Sequence, residues 1–530
     1  MSGICGISNM DGKPLIPSVL DEMMNVLSHR GPDGSGVWYE GPVGLGHHML
    51  YTTPESLHEK LPQKSGSTDL VITADSRIDN RDELLETLGV PHHMQNGMPD
   101  SIIILKAYEK WGEDCPNRLL GDFAFAIWDV KKRQLFCARD HIGIKAFYYH
   151  SSPCFFAFAS EIKGVLSVPN VPCKINEVAV ADFLVCNQHD WEGTFYKEIL
   201  RLPPAHCLVL NAKGLKVRRY WKPEVSYSLK LSSNDEYAEA LREQMFCAVH
   251  CRMRSAFPIG VTLSGGLDSS SVACIAARKL NGHEGKLIAV SSALPENHSG
   301  IETDEREYIE AVRRQENNID VEYVFAKGVT PFDNLDSQFV KADQPFRDLF
   351  YYMSDALYDA VQRHGVRILL SGFGGDITVS FNGMGFMAYL ARTGHWFELA
   401  RILKQRAAVE KQSQWKLLKG EVLAVLMPSC GLRLYRWMKG TRVDSDWISH
   451  SAIHPAFANR LRVKERCEQY GHSFSRRTLP DVHAVILDAI SPTNIAPSLE
   501  YMNTSQAAFH LEYLHPLLDK RIIELCLSVP

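Results

Sequence analysis

The sequence predicts an α/β protein of two domains, an antiparallel, mostly β domain over residues 1–220 and a parallel-sheet domain with a helical C-terminal part over residues 230–530. Three observations carry this prediction. The first ~220 residues hold short apolar runs that alternate at period two between turn signals. Beyond them, strand-like and helical stretches take turns, which is the order of βαβ units. Between the two lies "RRYWKPEVSYSLKLSSNDE", a Pro- and Ser-containing break that puts the boundary between Trp221 and Asp235.

In the first domain, "GVWYEGPVGLGHHM", "FAFAIWD", "QLFCARD" and "AFYYHSSPCFFAFAS" read as strands, and "PSVLDEMMNVLSH" and "SIIILKAYEKWG" as helices. In the second, "IGVTLS", "KLIAVSS", "VEYVFA" and "VRILLSG" read as strands. The stretches "DSSSVACIAARKL" and "ETDEREYIEAVRRQ" between them have helical spacing. From Met384 onward the chain reads as mainly helical.

Composition excludes some classes. The 530 residues are 45% hydrophobic and 22% charged with a net charge of −5, so no basic stripe marks a nucleic-acid partner. No apolar run approaches the roughly 18 to 20 residues of a membrane span, and the N-terminus lacks a basic stretch followed by an apolar one, so neither a span nor a signal peptide is expected. The 13 cysteines are odd in number and scattered, which fits reduced thiols in a cytoplasmic protein. "CAVHC" (Cys247, His250, Cys251) lacks a second ligand pair at zinc spacing and reads as part of an amphipathic helix with buried thiols.

The strongest chemical signal is "GVTLSGGLDSSS", Gly260 to Ser271, between a strand and a helix. Gly265 and Gly266 allow close approach of backbone to a ligand, and the helix N-terminus offers free N–H groups and a positive dipole end. Ser264, Ser269 and Ser270 add hydroxyls. Asp268 would repel a bare phosphate, but it suits a Mg²⁺ ion shared with phosphate oxygens. The Walker pattern is absent. A second loop, "LLSGFGGD" (Leu369 to Asp376), also follows an apolar strand. In an open parallel sheet, such loops line one crevice, so Asp268 and Asp376 are expected to hold Mg²⁺ from two sides of one triphosphate.

These motifs resemble the PP-loop ATP pyrophosphatases. The whole chain is similar to the asparagine synthetase class with an N-terminal glutaminase domain. "HRGPDGSG" (His29–Gly36), "GDFAFAIWD" (Gly121–Asp129), "RDHIGIKAFYY" (Arg139–Tyr149), "ASEIKGV" (Ala159–Val165) and "HPLLDKR" (His515–Arg521) match that family's landmarks in order. The resemblance implies an Ntn-type αββα sandwich followed by a PP-loop domain. It also implies activation of a carboxylate as an acyl-adenylate with release of pyrophosphate, then attack by an amine. Leu263, Val290, Ser371, Gly372 and Gly374 would contact ATP or its pyrophosphate. A lysine near the pyrophosphate is expected past the last landmark, beyond residue 530, so the synthetase domain reads as truncated. A homodimer is a further expectation.

The resemblance gives position 2 its meaning. Glutaminases of this family begin Met-Cys-Gly-Ile, with the cysteine as nucleophile and its own α-amine as base; here the frame reads Met-Ser-Gly-Ile, with Ser2. Cys5 is not terminal and has no adjacent α-amine. Met49 stands where the family's arginine holds the glutamine carboxylate. Asp75 and Ser76 replace the oxyanion-hole segment, and a carboxylate there would repel an oxyanion. Asp100 matches the acid that meets the substrate amine. Three losses against one retention predict a glutaminase domain without hydrolase activity.

Without glutamine hydrolysis, the synthetase half takes free ammonia or an amine already on its substrate. "DSRIDNRDELL" (Asp75–Leu85), "ETDEREYIEAV" (Glu302–Val312), "DQPF" (Asp343–Phe346) and "SGFGGD" look most like the lasso peptide cyclases within the branch that also makes β-lactams. Asparagine-forming enzymes carry glutamates, and β-lactam enzymes a tyrosine, in the second Gly loop; this chain has Phe373 and Ile377. An α-amine of pKa ~8 is roughly a quarter neutral at pH 7.5, against about 0.1% for a lysine-like amine, so it depends far less on a dedicated base. The expectation is an ATP-dependent macrolactam synthetase. Its partners would be a precursor peptide, a leader protease and a leader-recognition protein. An ammonia-dependent asparagine synthetase and a non-catalytic nucleotide-binding relative are the alternatives.

Overall fold

In the computed structural model, all residues are described except 67, 187–189, 227–228, 283–284, 296–304, 326–327, 347, 349, 382, 424–425, 427–450 and 470–480. The start of "ETDEREYIEAV" therefore lies outside the described residues. The chain forms two compact units. One joins Met1–Lys174, Glu192–Ser380 and Ile495–Pro530; the other joins Ile175–Trp191 and Phe381–Asn494.

The first unit opens with twelve strands: β1 (Gly3–Asn9), β2 (Gly34–Glu40), β3 (Val43–Met49), β4 (Gln63–Lys64), β5 (Leu70–Ile78) and β6 (Gly121–Asp129), then β7 (Gln134–Arg139), β8 (Tyr148–Ser151), β9 (Phe155–Ala159), β10 (Leu200–Arg201), β11 (His206–Asn211) and β12 (Gly214–Arg219). They form two six-stranded antiparallel sheets, ordered β10-β8-β9-β1-β3-β2 and β12-β11-β7-β6-β5-β4. Strand alternation explains the packing. In β6, Ala124 and Ala126 face the other sheet among Ile4, Leu45 and Phe156. Phe123, Phe125 and Ile127 face the opposite way, onto the helix Asp100–Trp111 through Ile103, Ile104 and Ala107. In β1, Ile4 lies between the sheets, while Cys5 and Ile7 meet Leu20, Met23 and Met24 of the helix Pro17–Val26. The result is the helix–sheet–sheet–helix sandwich. Gly6 permits it at its centre, because a Cβ there would come within 2.6 Å of the Phe158 ring and 2.9 Å of Leu45.

After β12 ends at Arg219, the next helix, Asn234–Arg252, is capped by Ser233, whose hydroxyl accepts from the Glu236 N–H. Five parallel strands follow: β13 (Ile259–Thr262), β14 (Leu287–Ser292), β15 (Ile319–Val324), β16 (Ile368–Leu370) and β17 (Glu512–Leu514). Their order is β15-β14-β13-β16-β17. Both faces are covered over the central strands, so β13, β16 and the first part of β14 are apolar, while β15 at the edge carries Asp320 and Glu322. Leu370 and Leu514 pack with Val249, Ala273 and Ile522 of the helices Asn234–Arg252, Leu267–Asn281 and Lys520–Ser528. Leu369 and Leu511 pack on the other side with Val361 of the helix Tyr351–Arg363. The sequence pattern missed β17, which is three residues long and returns the chain to this sheet after about 140 residues.

The second unit is helical. Met387, Leu390, Leu399 and Leu403 make one cluster, and Ala181, Ala458, Val463 and Cys467 another. The helix Glu177–Leu184 belongs here, not to the antiparallel sandwich: Ala181 packs in the second cluster, and Glu177 and Asp182 pair with Arg460 and Arg466. No described helix is long and apolar enough to cross a membrane. The described cysteines are free thiols; Cys247 is exposed and Cys251 half-buried on their helix, so the expected burial of both fails.

Candidate functional site

The loops after β13 and β16 meet where the strand order reverses, the place an open parallel sheet binds its ligand. They border a cavity of about 450 Å³ lined by Ser264, Gly266, Asp268, Ser269, Ser371, Gly372, Phe373, Asp376 and Ser380, with Thr262 and Tyr513. Gly265 takes a positive φ of 86°, turning the chain out of β13. The hydroxyls of Ser264 and Ser269 lie 3.0 Å apart, and Ser269 donates to the Gly266 carbonyl while accepting from the Ser264 N–H. The first-turn N–H groups of the helix Leu267–Asn281 open toward the cavity end of the sheet.

Two glycines let the second loop lie against the first. A Cβ on Gly372 would stand 2.5 Å from the Ser269 nitrogen, and one on Gly375 would fall on the Asp268 carboxyl group. Asp268 and Asp376, 108 positions apart in the chain, therefore border one cavity. Burial pushes the Asp268 carboxyl up; Ser380, donating to its Oδ2 at 2.8 Å, opposes this, and the Asp376 charge adds to it.

The remaining expected residues flank the cavity without lining it. Leu263 and Val290 are buried at the ends of β13 and β14, joined by the Leu263 N–H donating to the Val290 carbonyl. Ser270 donates its N–H to the Gly266 carbonyl. Gly374 turns its loop at a φ of 91° against Leu518.

Sequence reasoning missed the floor. The Tyr513 hydroxyl is 2.9 Å from the Thr262 hydroxyl, and His515 Nδ1 is 2.7 Å from the Ser371 hydroxyl, which also accepts from the Phe373 N–H. Phe373 packs edge-on against His515, with ring centroids 5.3 Å apart. Burial, with Arg252 nearby, lowers His515 to about 3, so its imidazole is neutral. "HPLLDKR" was the only trace of this floor in the sequence, and it carries no mark of what His515 touches.

The first domain holds a second, small polar pocket lined by Ser2, Asp75, Ser76, Asp100, Glu59 and Glu512, among others. The Ser2 hydroxyl accepts from the Leu50 N–H at 3.1 Å, and the Met1 ammonium donates to the Leu511 carbonyl. Met49 is buried in the sandwich. Asp75 differs from expectation. It is no bare repelling charge, because Lys145 pairs with it at 3.0 Å and Arg30 lies at 3.8 Å. Asp100 is likewise engaged, by Arg81, by Arg254 at 2.7 Å and by the Ile78 N–H. Burial opposes its ionisation, but those two arginines hold its carboxyl below the usual range.

Among the described residues, Asp79, Cys251 and Asp519 alone form a three-ligand cluster. Arg252 donates to Asp519 at 2.6 Å and lies 3.5 Å from Asp79, so a guanidinium already fills that cluster's charge.

Known proteins share both halves. Residues 1–221 match the glutamine amidotransferase domain family, and residues 240–530 match the asparagine synthase family. Asparagine synthetase (glutamine-hydrolyzing) 3 of Bacillus subtilis is 33% identical over 280 residues, 52% of this chain and 45% of that protein. A putative asparagine synthetase (glutamine-hydrolyzing) 2 of Methanocaldococcus jannaschii is 32% identical over 292 residues, 51% of this chain and 56% of that protein. Amidase chry2 of Gibberella zeae is 27% identical over 391 residues, 70% of this chain and 56% of that protein. The chain thus spans about half the length of the curated relatives it matches. With more than half of its residues matched by the second of the two families, the chain belongs to the asparagine synthase family.

Proposed function

We propose that this chain is an ATP-dependent amide synthetase that adenylates a carboxylate, releases pyrophosphate and joins the acyl group to an amine. More specifically, it closes a macrolactam ring in a lasso-type precursor peptide, between an Asp or Glu side chain and the peptide's own N-terminal amine. The observation that carries this reading is the convergence of Asp268 and Asp376 on the cavity between the two Gly-rich loops.

The donor set fits a magnesium nucleotide. The cavity has two carboxylates and, among its described lining residues, no cationic side chain, so a polyanion would enter only with a cation. Asp268 and Asp376 would hold Mg²⁺, which when bound would neutralise charge building on the leaving pyrophosphate. The hydroxyls of Ser264 and Ser269 and the helix N-terminus hold the phosphates by direct hydrogen bonds. Gly372 brings backbone close to the nucleotide. Phe373 presents an apolar ring to the cavity, which favours an amine already partly neutral over a lysine-like one. The pocket at Ser2 serves no glutamine hydrolysis in this reading, with Met49 in place of a cation and Asp75 clasped by Lys145.

The protein would meet its peptide after a partner protease has removed the leader. Incubation with ATP, Mg²⁺ and a matched core peptide is expected to give AMP, pyrophosphate and a peptide lighter by one water. AMP and asparagine from aspartate and ammonia, with nothing from the peptide, would overturn the cyclase reading. That outcome would favour an asparagine synthetase, the name several relatives carry. No pyrophosphate release with any carboxylate would leave a nucleotide-binding regulator.

A further inference from the structure

A third, smaller polar cavity shares His515 with the floor of the proposed nucleotide site. It measures about 10 Å³, about the least that holds one water molecule. Asp122, Asp140, His141, Arg252, His515 and Lys520 line it. Three of its buried atoms, Asp122 Oδ2, His141 Nε2 and Arg252 Nε, make no hydrogen bond among the described residues. Their side chains belong to residues only 4%, 5% and 3% exposed. Buried polar atoms are satisfied as a rule, and three orphans around one water-sized space mark an ordered water.

His515 joins this cavity to the nucleotide site. Its Nδ1 is 2.7 Å from the hydroxyl of Ser371, a residue that lines the larger cavity, and its ring borders the smaller one. The second Gly loop offers no acceptor of its own at Phe373 or Ile377.

We propose that Ser371, His515 and a water held over Asp122 form the route by which the attacking amine loses its proton. This rests on the synthetase reading above. The amine nitrogen attacks the acyl carbon of the adenylate; the C–N bond forms and the bond to AMP breaks, AMP leaving as the phosphate anion. The surplus proton on nitrogen passes to Ser371 Oγ as the Ser371 proton moves to His515 Nδ1. From the far side of the imidazole, a proton moves through the water to the Asp122 carboxylate. The groups facing Asp122 suit it to accept. Burial raises it to about 7; Arg252 and Lys145 oppose this, while Asp140 and Asp79 add to it.

The test separates the two half-reactions in the full chain. Carboxylate-dependent ATP–pyrophosphate exchange reports adenylation, and single-turnover amide formation reports amine attack. In His515→Gln and Asp122→Asn, which keep hydrogen-bonding shape but take up no proton, the ratio of amide formation to exchange is expected to fall about 100-fold. Hydroxylamine, whose nitrogen is so weakly basic that after attack it gives its proton directly to water, is expected to trap the adenylate with no such fall. An unchanged ratio, or an equal loss with both amines, overturns the relay. If either variant misfolds, a high-resolution crystal structure of the unmodified protein decides: the relay demands a water bonded to Asp122 Oδ2, and a dry cavity refutes it. Absence of exchange in the unmodified protein would refute the synthetase reading instead, and the cavity measurement still judges the relay.

Discussion

Replacing Gly375 by alanine tests whether the meeting of the two loops is what builds the site. The backbone φ of Gly375 is outside the left-handed region, so alanine brings no torsional strain, only a methyl group. That methyl lands on the Asp268 carboxyl group, 2.5 Å from Oδ1. Ordinary contact begins near 3.4 Å, so the carboxylate must retreat by about 1 Å or the loops must part. Retreat also breaks the hydrogen bond from Ser380. Overpacking of this kind costs about 1–3 kcal/mol of stability, which a melting curve would register as a modest shift. The functional loss should be far larger, because a 1 Å misplacement of a positioned group can cost about 100-fold in rate. ATP–pyrophosphate exchange should therefore fall about 100-fold in Gly375→Ala, with weaker Mg-ATP binding by calorimetry. Wild-type exchange and affinity in a folded variant would refute the view that Asp268 is held to the nucleotide by this contact.

Lys145→Met leaves the buried carboxylates of Asp75 and Glu512 without their cation, and should cost about 3–5 kcal/mol in urea denaturation. Burial opposes ionisation of Glu512 and Asp519, but Lys145 and Arg252 outweigh it and hold each near 2. Their contribution is therefore complete above the unfolded values of about 4 and is lost as pH falls through about 2, so the urea midpoint should decline across that window and Glu512→Gln should flatten part of the decline. Ser2→Cys should release no glutamate from glutamine above background in a coupled assay, since Met49, the clasped Asp75 and the engaged Asp100 remain. A chain lacking residues 1–221 should show no cooperative melt, because Glu500, Asn503 and Glu512 would lose buried partners; a fragment melting like the full chain would contradict this.

Sequence patterning was most informative where structure is local. β13 and the helix Leu267–Asn281 are contiguous, so their junction shows in "LSGGLDSS" as glycines and hydroxyls at fixed offsets. The alternation of β6 is legible for the same reason, although which face meets the helix is settled by volume, phenylalanine outward and alanine between the sheets. What the sequence hid depends on distant partners. β17 is too short to show a period, and Tyr513 reads as core until Thr262, more than 200 residues earlier, is placed beside its hydroxyl. Asp75 misled for a related reason. A carboxylate at that position is repulsive only in isolation, and the lysine that answers it is 70 residues away.

The same charges give the first domain a structural role that needs no hydrolysis. Arg30, from "HRGPDGSG", donates to the Ser2 carbonyl, to Glu161 and to Asn503. Arg139 and Lys145, from "RDHIGIKAFYY", reach Glu500 and Glu512. Glu512 is the first residue of β17, and its neighbour Tyr513 and nearby His515 form the floor of the cavity between the Gly-rich loops. Three cations of the first domain thus converge on β17 and on the helix Pro492–Ala507 that precedes it. Each is buried, and removing a partner from a buried ion pair costs several kcal/mol while keeping the pair is close to neutral. Selection against losing any one of them would preserve these motifs whether or not position 2 supports hydrolysis. A motif of the amidotransferase family can therefore persist in this chain as the anchorage of the cavity floor.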